Sequence, residues 1–456
     1  MKISVIYGEH SDMEYEAYGI ISSYYPGSEF APDGDIVINV PEIISAAGAV
    51  TKRDRRRALY KYLAGANGHE LPWGVLTGIR PTKLTMQRLS EGDSIVQAAK
   101  YMQEEYFVSP DKSVLAAVIS ARELAVAERI HAGDGYNIYV GIPFCPSRCY
   151  YCSFASHPID KWKGRTREYI DAEMKELERT VELFAGKTCH SLYIGGGTPT
   201  ALPKEDFEYL LTRVGELVDI SSLCEYTVEA GRPDCTSREK LLAMKRAGVT
   251  RISINPQTMN DKTLKVIGRK HSACDIIQTF GLARELGFDN INMDIILGLE
   301  GETASSVQHT IDEIGKLQPD NLTVHALALK RASRLVMESE TPVAAGPGDS
   351  EAAEMMAIAS RGAGMMGLNP YYLYRQKNMA GSLENVGYAA PGKEGIYNIL
   401  MMEEMESIAA VGAGTVSKLV RPDGRIDRCD DVKDADLYIS RIDEMIERKE
   451  KLFKEN

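Results

Sequence analysis

The stretch Tyr139–Phe154, YVGIPFCPSRCYYCSF, holds two different signals. It begins with a short apolar and β-branched run that reads as a buried strand. It then places Cys145, Cys149 and Cys152 close together. Cysteines at i, i+4 and i+7 would share a helix face, but Pro143 and Pro146 disfavour helix across the first part of the run. The cysteines therefore belong to a loop leaving the carboxyl end of a strand. Parallel α/β proteins gather their ligands at that end.

Outward from this stretch, residues 138 to 330 repeat one rhythm: a short apolar run, a turn, then an amphipathic helical stretch. Candidate strands lie at 137–142, 191–196, 225–230, 251–255, 290–297 and 322–329, with helical periodicity between them, as in TREYIDAEMKELERTVELF and SSVQHTIDEIGKL. Six strands alternating with helices predict right-handed βαβ units, a parallel sheet and the α/β class. The pattern leaves open whether that sheet is flat or curled. Residues 1–134 read as a separate N-terminal α+β domain, 135–340 as the core, and 341–456 as a C-terminal α+β extension that forms a substrate cleft. The extension opens with the linker TPVAAGPGDS and a helix over 350–366. Within the N-terminal part, LPWGVLTGIRPTKL at 71–84 carries Arg80 and Lys83. It suits an ordered loop facing a neighbouring domain or ligand, or ordinary loop packing.

A hydrophobic fraction of 44% over 456 residues is ample for sizeable cores. The first residues lack the long apolar segment of a signal peptide, and no run is long enough to span a bilayer, so a cytoplasmic protein without an integral membrane segment is expected. A formal net charge of -12 argues against nucleic acid as a partner. The basic run Lys52, Arg53, Arg55, Arg56, Arg57 reads most simply as one solvated helix face. Five cysteines (Cys189, Cys224, Cys235, Cys274, Cys429) are scattered singly and read as ordinary thiols.

The clustered three invite metal or redox chemistry. A structural zinc site wants four ligands, for which His157 is the candidate fourth, yet no second Cys or His pair follows at finger-like spacing. Three thiolates also suit a [4Fe-4S] cluster that leaves one iron open.

Cys-x3-Cys-x2-Cys with an aromatic residue before the third cysteine resembles the radical S-adenosylmethionine (SAM) superfamily. The resemblance implies a partial (β/α)6 barrel, a [4Fe-4S] cluster on Cys145, Cys149 and Cys152, and SAM chelated to the open iron. It also implies a reducing electron donor such as flavodoxin or ferredoxin, whose electron cleaves SAM to a 5'-deoxyadenosyl radical. YVGIPFC, YIGGGTPT, TVEAGRPD, INPQT, IGRKHS and NMDIILGLEGET follow in the order found in the branch that contains oxygen-independent coproporphyrinogen III oxidase. By that resemblance Tyr139, Tyr151, Gly196, Gly197, Thr198, Glu229, Gln257, Arg269, Asp294 and Ala328 fall on SAM-binding positions. The plainer alternatives are helix caps for Glu229 and Asp294 and strand packing for Tyr139.

Beyond the core, LPWGVLTGIRPTKL, LKRASRL and YYLYRQKNMAGSLENVGYAAPGKEGIYN resemble the HemZ-type group, named as coproporphyrinogen dehydrogenases. That implies a radical SAM oxidoreductase of haem biosynthesis, decarboxylating the tetrapyrrole coproporphyrinogen III to protoporphyrinogen IX. Lys330, Arg331, Arg334, Arg375, Lys377 and Lys393 would then meet propionates, unless they are scattered surface charge or interdomain ion pairs. Two departures bear on this. The established oxidases have a fourth cysteine where Phe154 stands, and His where Gly141 stands. Cys-x-Phe is also the pattern of the branch's haem chaperones, so a haem-trafficking protein is the alternative, together with another tetrapyrrole-modifying reaction. The chaperones' His-Asn-x-x-Tyr-Trp element, however, is replaced by Lys377, Asn378, Met379, Ala380.

Overall fold

The computed structural model describes all residues except 79, 134, 155, 328–348, 377–382 and 455–456. Near the amino terminus, β1 (Lys2–Ile6) lies between β2 (Glu29–Phe30) and β3 (Ile36–Asn39) in a small parallel sheet. Ile3, Ile20, Ile21, Leu59, Tyr60 and Leu63 form its own apolar core. The helix Lys52–Asn67 starts on a capping box between Thr51 and Asp54. Its basic face is paired within the chain: Lys52 with Glu16 at 2.7 Å, Arg53 and Arg57 with Glu105, and Arg55 with Asp12 at 3.5 Å. The loop at 71–84 faces a neighbouring element, because Arg80 reaches Met402 O at 2.9 Å and Glu404 at 2.6 Å.

The core is one sheet of parallel strands in sequence order: β4 (Tyr136–Ile142), β7 (Cys189–Gly196), β8 (Glu225–Glu229), β9 (Arg251–Ser253), β10 (Ile291–Leu297) and β11 (Asn321–Ala326). These are the six strands expected from the pattern. Their residues are buried on both faces, as crossover helices require. Two short strands, β5 (Phe144–Cys145) and β6 (His157–Pro158), bracket the cysteine loop as a miniature parallel pair.

The C-terminal segment extends the same sheet at both edges. β13 (Asn385–Ala389) runs antiparallel to β11 and carries β12 (Asn369–Tyr374) outside it. At the other edge β14 (Ser407–Val411) pairs parallel to β4 and is followed by antiparallel β15 (Val416–Val420) and β16 (Ile426–Asp430). The strand order is therefore an open series of eleven. Between the two edges the helix Ile396–Glu403 crosses beneath the barrel, and Glu225 at the amino end of β8 accepts from its first amides, Ile396 N at 2.7 Å and Tyr397 N at 3.4 Å. No helix among the described residues is long and apolar enough to cross a membrane.

Candidate functional site

A cavity of about 750 Å³ fills the barrel, within the range of small-molecule sites. Cys145, Cys149 and Cys152 stand at its carboxyl-end mouth beside Phe154, whose ring is exposed. The cysteine loop is fastened on two sides. Gly197 N and Thr198 N donate to Ile142 O at 2.7 Å and Phe144 O at 2.8 Å, and Thr198 Oγ1 lies 3.5 Å from Cys145 Sγ. On the far side Tyr150 N donates to Ile267 O at 3.2 Å. A Cβ on Gly197 would lie 2.7 Å from Phe144 O and 3.0 Å from Cys145 Sγ, so a glycine is required there by contact. Gly196 sits at φ +110°, a conformation that only glycine adopts readily.

Burial pushes the Cys145 and Cys152 thiols up, against hydrogen bonds from Thr198 and the Phe154 backbone respectively. A cation at this mouth is Arg232. Its guanidinium grips Asp234 through two hydrogen bonds of 3.0 Å, donates to Ser147 and approaches Cys149 Sγ at 3.6 Å. The motif GRPD contains this residue, but only the fold brings it to the cysteine loop. His157 turns away, toward the Trp162 ring and Lys433 O. Among the described residues no group of three His, Cys, Asp or Glu side chains is set for a single metal ion. A cluster differs in taking each thiolate on a separate iron.

Inside, Tyr139, Tyr193 and Tyr397 form a stack, with ring centroids 4.7 to 6.0 Å apart. Tyr193 Oη donates to Glu229 at 2.7 Å. Glu229 is pushed up to about 7 by burial, with Asp294 adding to the rise and the Tyr193 hydrogen bond and Arg251 opposing it. Gln257 holds φ +65°, pinned by Gln257 N donating to Asp294 O and Ile296 N donating to Gln257 O, each at 2.9 Å. A non-glycine residue in the left-handed region at a cavity wall is the kind of strain that clusters at functional sites. Arg269 donates to Tyr151 Oη at 3.0 Å and Gly231 O at 3.1 Å. Asp294 accepts from Asn292 at 2.7 Å.

Tyr139, Tyr151, Gly196, Gly197, Thr198, Glu229, Gln257, Arg269 and Asp294 thus line one cavity with the three cysteines. Ala328, Lys330, Arg331, Arg334 and Lys377 lie outside the described residues. Two expected cations lie away from the cavity. Arg375 is buried over the Trp73 ring and donates to Leu76 O at 2.5 Å, and burial pulls it down to about 10. It braces the N-terminal segment because the alternation along β12 sends Tyr372 and Tyr374 inward instead. Lys393 pairs with Asp289 at 3.0 Å on the outside. The cations that do line the cavity include Arg251 and Lys418, together with His325, whose pKa burial lowers against the pull of Asp294. Arg251 and His325 occupy inward positions of strands read only as apolar runs. The signal available was a polar residue at every second position, as in Arg251, Ser253, Asn255.

Gly141, where the oxidases carry His, has no room for a side chain. A Cβ there would lie 2.4 Å from Thr415 Cγ2.

A model of the radical SAM superfamily matches residues 139–314. The chain is 40% identical over 390 residues to the oxygen-independent coproporphyrinogen-III oxidase-like protein HemZ of Bacillus subtilis, covering 84% of this chain and 77% of that one. The chain belongs to the radical SAM superfamily, in the HemZ-like group. Its cofactors are a [4Fe-4S] cluster and SAM. Among other relatives of this radical SAM protein, the heme chaperone HemW of Bacillus subtilis is 37% identical over 198 residues, 42% of this chain and half of that one. The solved structure of coproporphyrinogen III oxidase HemN from Escherichia coli superposes with a TM-score of 0.56 at 21% identity, covering 71% of this chain and 73% of that one. That likeness shares the fold. The donor set fits both cofactors: three thiols at one mouth, a glycine cradle that a Cβ would fill, and buried carboxyl and guanidinium groups below.

Proposed function

We propose that this radical SAM protein oxidatively decarboxylates coproporphyrinogen III, using its cluster and SAM. In this reading Cys145, Cys149 and Cys152 hold the cluster. Tyr139, Tyr151, Gly196, Gly197, Thr198, Glu229, Gln257, Arg269 and Asp294 hold SAM, with Ala328 beside them. The cofactors, when bound, supply one-electron cleavage of SAM and a group able to take a hydrogen atom from the substrate. The chain's own part is to orient and shield. The tyrosine stack offers flat apolar surface, Arg269 suits a carboxylate, and the plug formed by Ile396–Glu403 closes the far end. Each of two propionates would lose one hydrogen atom from its β-carbon, then carbon dioxide and one electron to an external acceptor, leaving a vinyl group.

The observation that carries the reading is the similarity to HemZ across most of both chains, joined to a single cavity that holds the cysteines at one end and aromatic faces below. Anaerobic incubation of the reconstituted protein with SAM, reductant and coproporphyrinogen III should release carbon dioxide and products lighter by the mass of formic acid per vinyl group formed. Replacing any one of Cys145, Cys149 or Cys152 with Ala should abolish SAM cleavage and lower the iron content. SAM cleavage with unchanged tetrapyrrole would reject the reaction.

A second reading, haem delivery, is favoured by Phe154 at the cavity mouth and by the HemW relative. Stoichiometric haem binding without turnover would support it. A product heavier or opened at the ring would instead indicate another tetrapyrrole modification.

A further inference from the structure

Arg251 opens β9 and faces the interior of the barrel, where it lines the cavity. It is 2% exposed, and its Nε and Nη2 have no hydrogen-bond partner. An isolated buried guanidinium is costly, and proteins normally supply its counter-charge. Two carboxyl groups attract it from a distance, but Glu229 accepts from Tyr193 Oη at 2.7 Å, and Glu225 likewise finds its partners elsewhere. Its carboxylate accepts from the amides of Ile396 and Tyr397 and from Thr227 Oγ1 at 3.0 Å. Gly395 approaches the guanidinium closely, since a Cβ there would lie 3.5 Å from Arg251 Cζ. That backbone packs against the guanidinium, whose Nε and Nη2 are closed to solvent.

The register sets its depth. Arg251 pairs with Thr227 and Ser253 with Glu229, so Arg251 lies one inward layer, about 7 Å, on the amino-end side of the Glu229 layer. Cysteine mouth, Glu229 layer and Arg251 follow one another down the same cavity. A group held by Arg251 would therefore lie across the Glu229 layer from the cysteines.

We infer that Arg251 is the anchor for a carboxylate of the substrate inside the barrel, pairing with it as a counter-charge. The inference rests on the tetrapyrrole reading, in which that carboxylate is a propionate. It gives the cavity a fixed point from which one side chain of the substrate is positioned. It also brings a counter-charge to a guanidinium that the chain itself meets only at a distance, through Glu225 and Glu229.

The test uses the full chain and coproporphyrin III, the stable oxidised tetracarboxylate, with its tetramethyl ester as the uncharged counterpart. Arg251→Gln should weaken coproporphyrin III binding by roughly tenfold or more, with ester binding within about twofold of wild type. Arg251→Lys keeps the charge without the guanidinium and should fall between. It also carries the acid-against-ester comparison if the Gln variant does not fold. Equal affinity of wild type and variant for the acid would overturn the assignment, as would parallel loss of acid and ester, which would mark a packing defect. A wild-type protein that binds neither porphyrin would instead overturn the tetrapyrrole reading itself.

Discussion

At the scale of single residues, Glu229 shows how burial sets chemistry. Its carboxyl lies under the tyrosine stack and is pushed up to about 7. The folded apo chain then holds this proton more tightly than the unfolded chain, whose carboxyl titrates near 4.5. Its favourable contribution is complete below that value and is lost as the pH rises toward 7. Glu229→Gln should therefore stabilise the apo protein at pH 8 by on the order of 1–3 kcal/mol, read as a shift in urea midpoint. If the carboxylate meets SAM as proposed, wild-type affinity for SAM should fall as the pH drops below about 7, by up to about tenfold per unit, while the Gln variant binds weakly at every pH. A wild-type SAM affinity that is flat from pH 6 to 8 would remove Glu229 from the binding set. Glu229 and Asp294 were visible in the sequence because TVEAGRPD and NMDIILG are local motifs. Arg251 and His325 were not singled out, since each sits within an apolar run and acquires meaning only from the cavity it faces.

At the scale of elements, the six parallel strands were legible because their apolar and β-branched content is a local property. The glycine-to-cysteine junction was legible in part. A run of glycines after a strand announces close approach, but which backbone approaches is a matter of packing. Gly141 makes the point. It sits within β4 with nothing in YVGIPF to require a glycine, and Thr415, on the turn between β14 and β15, takes the space a side chain would need. Gly141→Ala should destabilise by about 1–3 kcal/mol. Thr415→Ser deletes the offending methyl and should recover much of that loss, although Thr415 keeps a hydrogen bond of 2.9 Å to Asp431 only through its hydroxyl. A double-mutant cycle on thermal midpoints measures the coupling. Additive effects would mean that Thr415 is not what closes the position.

At the scale of the whole molecule, the last residues complete the core. Tyr438, Met445 and Phe453 belong to the same apolar cluster as the barrel strands. Lys449, fully buried, pairs with Glu176 and with Asp431 at 2.8 Å, and Glu176 also accepts from Gly412 N at 3.1 Å. Asp431 is pushed up to about 7 by burial and the neighbouring Glu176, which together outweigh the pull of Lys449. Lys449→Met would leave two buried carboxyls facing one another and should cost about 3–5 kcal/mol. The loss should be larger at pH 8 than at pH 6, because protonation relieves the repulsion once Lys449 is gone. Thermal midpoints at the two pH values provide the measurement, and an equal loss at both would show that the charge network is not the source. By itself the sequence determined the six βα units, the cysteine loop and the radical SAM chemistry, since each rests on residues that are neighbours along the chain. Only the tertiary structure decided that β12 to β16 extend both edges of the same sheet, that Arg375 leaves the cavity and that Arg251 enters it. Strand partnership and side-chain facing depend on contacts between residues far apart in sequence, and no local pattern encodes which distant surface will bury a given side chain.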